Sequence, residues 1–144
     1  MQIRKMEEKD IETVYEMLQN IEEFRVSKES KMGEWVKQSL KNWIKNKDDE
    51  MLVAEENGEV VGFIFTTAHK PSGKATIENI FVKEEFRGKG ISKKLLDECI
   101  ARLKKKGINY FCSLVKENNK KAFEFFKSNN FTEGYKFVWM EKAG

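Results

Sequence analysis

Between Ala75 and Val115 the hydrophobic pattern changes period twice, and no other feature constrains the fold as tightly. Ala75 to Val82 reads as an apolar strand. Ile91, Leu95, Leu96, Cys99, Ile100 and Leu103 then fall on one face of a long helix. Gly107 ends it after a Lys-rich last turn, which suits the negative end of the helix dipole. Ile108 to Val115 is apolar again, a second strand. Strand, helix and strand in this order make a right-handed crossover, so the two strands are expected to run parallel. The link into the helix carries Arg87-Gly88-Lys89-Gly90. Two glycines at a helix start leave backbone N–H groups bare and pointing outward, a ready site for a phosphate or pyrophosphate.

The rest of the chain supplies neighbours for that unit. Ile3 to Met6 is a short first strand. Ile11, Val14, Tyr15, Leu18 and Ile21 follow helical spacing behind Asp10, a capping residue. Met32, Trp35, Val36, Leu40, Trp43 and Ile44 give a second amphipathic helix, with Ser27 or Ser30 near its start. Its tryptophans read as core, or as an aromatic wall for a substrate. Met51 to Ala54 is a strand, and Asn57-Gly58 supplies a tight hairpin turn whose two central positions need positive φ. Val60 to Thr67 returns antiparallel, Pro71-Ser72-Gly73 turns again, and Ala75 to Val82 is the third strand of a meander. After the crossover, Asn118 or Asn119 caps a short helix carrying Ala122, Phe123 and Phe126. Phe131 to Met140 is expected to close the sheet as a last strand. The expected fold is α/β over residues 1–144. It is one domain whose mixed, mostly antiparallel sheet carries one parallel strand-helix-strand crossover.

Composition narrows the function classes. A net charge of +3 is too small to argue for nucleic acid. No apolar run approaches the roughly 20 residues that span a bilayer, and the first ten residues lack the apolar core of a signal peptide. A cytoplasmic protein with neither a membrane nor a nucleic-acid partner is expected. Cys99, Cys112 and His69 do not make a zinc set, so no metal is expected. The cysteines read as buried thiols, and His69, beside Lys70-Pro71, as an exposed turn histidine.

Three ligands compete for the glycine loop. A P-loop needs Gly-x-x-x-x-Gly-Lys-Ser/Thr, and Ser92-Lys93 stands in the wrong order. A dinucleotide loop needs Gly-x-Gly-x-x-Gly and a later acid. Gly88 and Gly90 match, but Lys93 replaces the third glycine, which lets helix and strand pack closely, and Glu117 comes late. The third ligand is acetyl-CoA. Arg87-Gly88-Lys89-Gly90-Ile91-Ser92 resembles the main motif of the GNAT superfamily of N-acetyltransferases, Arg/Gln-x-x-Gly-x-Gly/Ala after a strand. Only Ser92 departs, and it is small. Asn119, Ala122, Phe126 and Asn130-Phe131 are similar to that family's Asn, Ala, Tyr and Gly-Phe signature, and the element order agrees over nearly the whole length. Asn130 stands where the family has glycine, a helix-ending position that often needs a left-handed backbone and accepts asparagine next best.

The resemblance implies the following roles. Backbone groups of Ile80, Phe81 and Val82 would bond the pantetheine arm and polarise the thioester carbonyl. The N–H groups of Arg87, Gly88, Lys89, Gly90, Ile91 and Ser92 would hold the pyrophosphate. Asn119 would contact the cofactor arm, although without the resemblance a plain helix cap is the favoured reading. Phe126 would sit near the sulfur, and Lys83, Lys89, Lys93, Lys120 and Lys121 around the adenosine phosphates. Homodimers are frequent in the family.

Acetyl transfer to an amine needs a neutral amine, although a lysine-type amine titrates at about 10.4. It also needs a base, an N–H donor at the tetrahedral oxygen and a proton or charge for the departing thiolate. Glu78, on the strand entering the loop, is the candidate base. Strict alternation sets it with Ile80 and Val82, opposite Ile77 and Phe81. The resemblance places a bulge here, which would change that facing. Phe126 and Leu114 stand where family enzymes carry a proton-donating tyrosine and, in those acting on ribosomal-protein N-termini, a glutamate. Tyr135 or water is left to protonate the thiolate. Glu22, Glu23, Glu29, Asp48, Asp49 and Glu50 offer acids to a cationic amine in the acceptor half. The expected function is acetyl transfer from acetyl-CoA to a primary amine of a small molecule or protein, by direct attack in a ternary complex. The alternatives are an acyl-CoA-binding regulatory module with a degraded active site and, behind it, a dinucleotide-binding module.

Overall fold

The structure, a computed structural model, describes residues 1–19, 21 and 36–144. Five strands lie side by side in chain order: β1 (Gln2–Lys5), β2 (Met51–Glu56), β3 (Glu59–His69), β4 (Lys74–Val82) and β5 (Tyr110–Ser113). The first four pair antiparallel, and β4 pairs with β5 in parallel. Helix α3 (Ile91–Lys105) makes the crossover between them. The mixed sheet with one parallel crossover is therefore present as expected.

The turns follow from local chemistry. Asn57 and Gly58 hold φ of 51° and 80°, the left-handed pair a two-residue hairpin needs. Lys70–Ser72 forms one 3-10 turn closed by Gly73 at φ 67°.

Both faces of the sheet are covered. On one, Leu52, Ile64, Ile77 and Val82 pack with Leu95, Leu96, Cys99 and Leu103 of α3 and with Phe126 of helix α4 (Lys120–Ser128). On the other, Val53, Phe63 and Phe65 pack with Val14 and Leu18 of α1 (Ile11–Leu18) and Leu40 of α2 (Lys37–Trp43). Two buried acids tie the elements together. Asp10 takes both nitrogens of the Arg4 fork at 2.7 and 2.9 Å and the Glu7 N–H at 2.8 Å, locking β1 to the start of α1. Glu50 meets Lys106 at 2.9 Å, and the same ammonium donates to the Lys47 carbonyl at 2.7 Å, fixing the end of α3.

The β3–β4 ladder slips by one residue. Phe65 pairs with Asn79 and Thr66 with Ile77, so Glu78 is the extra residue of a bulge. Ala75 and Ile77 before it, and Ile80 and Val82 after it, all pack on the α3 side, while Phe81 packs on the other. Strict alternation had put Ile77 opposite Ile80 and Val82, and the bulge overturns that facing.

A second correction concerns the chain end. Among the described residues, 131–140 form no ladder, so the described sheet ends at β5 and the expected last strand is not found there. The turn after α4 sets the direction in which the segment leaves the helix. Asn130 at φ 68° reverses the backbone, and the Phe131 N–H returns to the Phe126 carbonyl at 3.0 Å. Glu133 then pairs with Lys127 at 3.7 Å and Lys136 with Glu117 at 3.4 Å. These two exposed pairs lie between the segment and, respectively, α4 and the turn after β5. Met32, Trp35, Ser27 and Ser30 of the expected second helix lie outside the described residues, as do Glu22, Glu23 and Glu29.

Candidate functional site

The glycine loop and α4 enclose a cleft of about 370 Å³. One wall is the end of β4 and the loop: Val82, Arg87, Gly88, Gly90, Ile91 and Ser92. The facing wall is Phe125, Ser128 and Asn129 of α4 and its end. Gly88 and Gly90 hold φ of 80° and 77°, and a Cβ at either would meet no atom within 4 Å. Here the glycines serve the backbone turn and leave open space above it.

Gly90 is the N-cap residue of α3, and its carbonyl accepts the first helical bond, from Lys94 at 3.1 Å. The N–H groups of Ile91, Ser92 and Lys93 come before that bond, so the positive end of a 15-residue helix opens on the cleft. Arg87 spends its Nε–H on the Val82 carbonyl at 2.8 Å, and its guanidinium lies 5.3 Å from the centre of the Phe81 ring. This ties the loop back to the strand that enters it. A phosphorylated ligand fits this cradle: open space, free N–H groups and a cationic rim. Lys93, on the rim, is paired with Asp97 at 2.8 Å, and Lys83 with Glu59 at 2.7 Å. Lys89 lies 5.3 Å above the Phe86 ring.

Along the sheet the cleft continues as an opened seam. β4 and β5 pair only from Lys74↔Tyr110 to Ile77↔Ser113. The Ser113 hydroxyl donates to the Ile77 carbonyl at 2.9 Å and closes the last rung. Beyond it β4 carries Glu78, Ile80, Phe81 and Val82 without a strand on that side among the described residues. Glu78 therefore stands at the apex where the two strands part. Its side chain is exposed and accepts from the Thr67 hydroxyl at 2.6 Å.

Other residues singled out in the sequence lie elsewhere. The Asn119 side chain accepts from the Ala122 N–H at 3.2 Å, a helix N-cap. Phe126 is buried in the α3-side core, 5.0 Å from the Phe131 ring, and its neighbour Phe125 lines the cleft instead. Helical spacing carries the signal for that wall, because Ser128 and Asn129 lie three and four residues after Phe125. Tyr135 is exposed on the C-terminal segment and does not line the cleft. Leu114 is also exposed. Cys99 is fully buried, and burial pushes its thiol up to about 12. His69 is exposed, its Nδ1 2.7 Å from the Ser72 hydroxyl. Among the described residues no cluster of His, Cys, Asp or Glu is arranged to hold a metal, and no helix is long and apolar enough to cross a membrane.

Similar proteins agree with this geometry. A profile of the acetyltransferase (GNAT) family matches residues 11–131. The chain is 34% identical over 108 residues to an uncharacterised N-acetyltransferase of Methanocaldococcus jannaschii. That match covers 72% of this chain and 48% of the relative, so the chain spans about half of that protein's length. Among solved structures, a transcriptional regulator from Bacillus halodurans superposes with a TM-score of 0.79 at 24% identity, covering 98% of this chain and 99% of that one. An aminoglycoside N-acetyltransferase crystallised in complex with CoA superposes with a TM-score of 0.77 at 18% identity, covering 99% and 100%. The crossover, its glycine-started helix and the family match over residues 11–131 lead to one conclusion: the chain belongs to the GNAT family of N-acetyltransferases.

Proposed function

We propose that the protein transfers an acetyl group from acetyl-CoA to a primary amine of a small molecule or a protein, by direct attack in a ternary complex. The observation that carries this reading is the cleft at the start of α3, whose bare N–H groups and left-handed glycines suit a pyrophosphate. Acetyl-CoA supplies the activated thioester. Ile91 and Ser92, with Gly88 and Gly90, hold the pyrophosphate. The unpaired edge of β4 from Ile80 to Val82 takes the extended arm as a neighbouring strand would, and aims the thioester at the apex. A backbone N–H there carries the charge that develops on the carbonyl oxygen.

Glu78 sits at the apex and is exposed, so it reaches the acceptor amine directly or through one water and takes its proton. The neutral amine attacks, the nitrogen of the tetrahedral centre gives up its extra proton to water, and the centre collapses as the C–S bond breaks with its electron pair on sulfur. Tyr135 lies outside the cleft, so the proposal gives the thiolate its proton from water. The cost is modest, because a thiol titrates at about 8.5.

Incubation with acetyl-CoA and a panel of amines, following free CoA, tests the reading. Turnover should exceed that of Glu78→Gln on at least one amine. Equal, near-background rates on every amine would remove it. One observation favours a second reading. Phe126, in the position of the family's proton donor, is packed in the core, which suits a module that binds acyl-CoA without turning it over. Tight binding with no release of free CoA would select that reading.

A further inference from the structure

The bulge at Glu78 has an orphan beside it. Among the described residues two buried side-chain oxygens have no hydrogen-bond partner, Glu50 Oε2 and Asn79 Oδ1. Glu50 meets Lys106 through its other oxygen at 2.9 Å. Asn79 is 7% exposed, and no hydrogen bond ends on its carbonyl. A buried acceptor left open bears the full loss of its hydration, so such groups are rare and point to strain or to a ligand.

The surroundings explain why this one stays open. Asn79 pairs with Phe65 across the sheet, so both side chains point to the face that α1 and α2 cover. Phe65 offers only carbon, as does Phe81 two residues along on the same face. Thr67 also lies on this face, and its hydroxyl is given to Glu78 at 2.6 Å. On the far side the β4–β5 ladder stops at Ile77↔Ser113, before Asn79 is reached. Among the described residues, the sheet around Asn79 thus offers it no donor. Regular alternation would send Glu78 and Asn79 to opposite faces. Because of the bulge, Glu78 reaches Thr67 while Asn79 stands across from Phe65, and the two side chains share one face where β4 and β5 part. A carboxylate beside an open amide oxygen suits a group that carries more than one N–H.

We propose that Asn79 determines acceptor specificity by holding the N–H that the product amide keeps. The inference rests on the acetyl-transfer reading. A primary amine carries two N–H bonds when its lone pair attacks the thioester carbon. The tetrahedral nitrogen loses one proton, the C–S bond breaks, and one N–H survives in the amide. That N–H fills the Asn79 oxygen, which turns toward it about a soft terminal torsion. A secondary amine has a single N–H and loses it in the reaction, leaving the Asn79 oxygen unpaired. A site that bonds a substrate N–H rejects the analogue that lacks it. Primary amines are therefore selected over their N-methyl derivatives.

Competition between paired amines tests this. Each primary amine that turns over is set against its N-methyl derivative, beginning with benzylamine and N-methylbenzylamine, and mass spectrometry reads the two acetylated products. The unsubstituted chain should favour the primary member, and Asn79→Leu should cut the ratio of kcat/KM values at least about fivefold. Asn79→Asp keeps an acceptor oxygen and should keep the preference. A ratio that drops equally in both variants means that shape decides, and the proposal is wrong. A chain that acetylates both members alike loses this inference alone, whereas a chain that acetylates no amine loses the transfer reading and this inference with it. A melt without any ligand gives a readout apart from activity. Asn79→Leu should raise Tm by about 3 °C, because an apolar group replaces an unpaired carbonyl. A Tm that falls instead means that the amide serves the fold, and overturns the proposal.

Discussion

Replacing Asp10 by alanine should be among the most damaging single changes in the chain. Asp10 is 4% exposed, and its partner Arg4 keeps 15% of its side chain in contact with solvent. The carboxylate accepts two bonds from the Arg4 fork and one from the Glu7 N–H. Its removal strands a largely desolvated guanidinium and a backbone donor. Breaking a buried pair in this way costs about 3–5 kcal/mol. Glu55, 3.4 Å from the same guanidinium, remains as a weaker partner and puts the loss near the low end, at ~3 kcal/mol. Against a total stability of about 5–15 kcal/mol this is a large share. For a chain of this size it lowers Tm by about 6–12 °C. Urea unfolding and thermal melts followed by far-ultraviolet circular dichroism measure both. The effect also has a pH signature. Burial works against the charged carboxylate, but the Arg4 hydrogen bonds, the Glu7 N–H and the Arg4 charge outweigh it and hold the group below its ordinary value. The folded state thus binds this proton less readily than the unfolded chain. The stability Asp10 adds is complete above the ordinary carboxylate range and disappears as pH falls through that range toward the folded value. The gap between the unsubstituted chain and the variant should therefore be full at pH 7 and close on acidification below about 4. A loss under 1 kcal/mol, or a gap that does not change with pH, refutes the reasoning. Arg4→Met/Asp10→Leu, which removes both charges, should recover much of the loss.

Three further outcomes follow from the same structure. Gly90→Ala meets no atom, so its cost is that of a left-handed alanine, about 1–2 kcal/mol, while CoA affinity measured by calorimetry should fall at least tenfold; unchanged affinity would remove the loop from the site. Lys106→Met leaves the Glu50 carboxylate, 2% exposed, without its cation and should cost about 3 kcal/mol in urea unfolding, whereas Lys106→Met/Glu50→Leu should be milder. Iodoacetamide at pH 8 should modify half-buried Cys112 well before Cys99, whose thiol is buried and pushed up to about 12; peptide mass spectrometry showing the reverse order would contradict the core packing.

Much of this architecture is legible in local sequence signals. Asn57-Gly58 and Gly73 mark turns because their backbone angles are rare for other residues. The period change after Val82 announces the crossover, and Asn130 marks a left-handed helix end. The glycine loop is legible for the same reason: Gly88 and Gly90 hold angles that most side chains resist. What escapes is long-range. The bulge at Glu78 is a mismatch between two strands, and neither strand carries it alone. Helical spacing groups Phe125, Ser128 and Asn129 on one face of α4, but which face turns to the glycine loop depends on how α4 docks. The segment after Asn130 has every mark of a strand, yet pairing needs a neighbour, and propensity says nothing about where that neighbour is.

The bulge at Glu78 divides β4 into two stretches with separate obligations. Lys74 to Ile77 is zipped to β5, so a change there is read out in folding. Beyond Glu78 the strand has no partner on that side among the described residues, so a change there leaves the β4–β5 ladder intact. The two stretches are thus free to vary on different terms. On the proposed acetyl-transfer reading, the chain can trade one ligand arm or acceptor for another in the second without renegotiating the sheet, and can adjust its stability in the first without disturbing recognition.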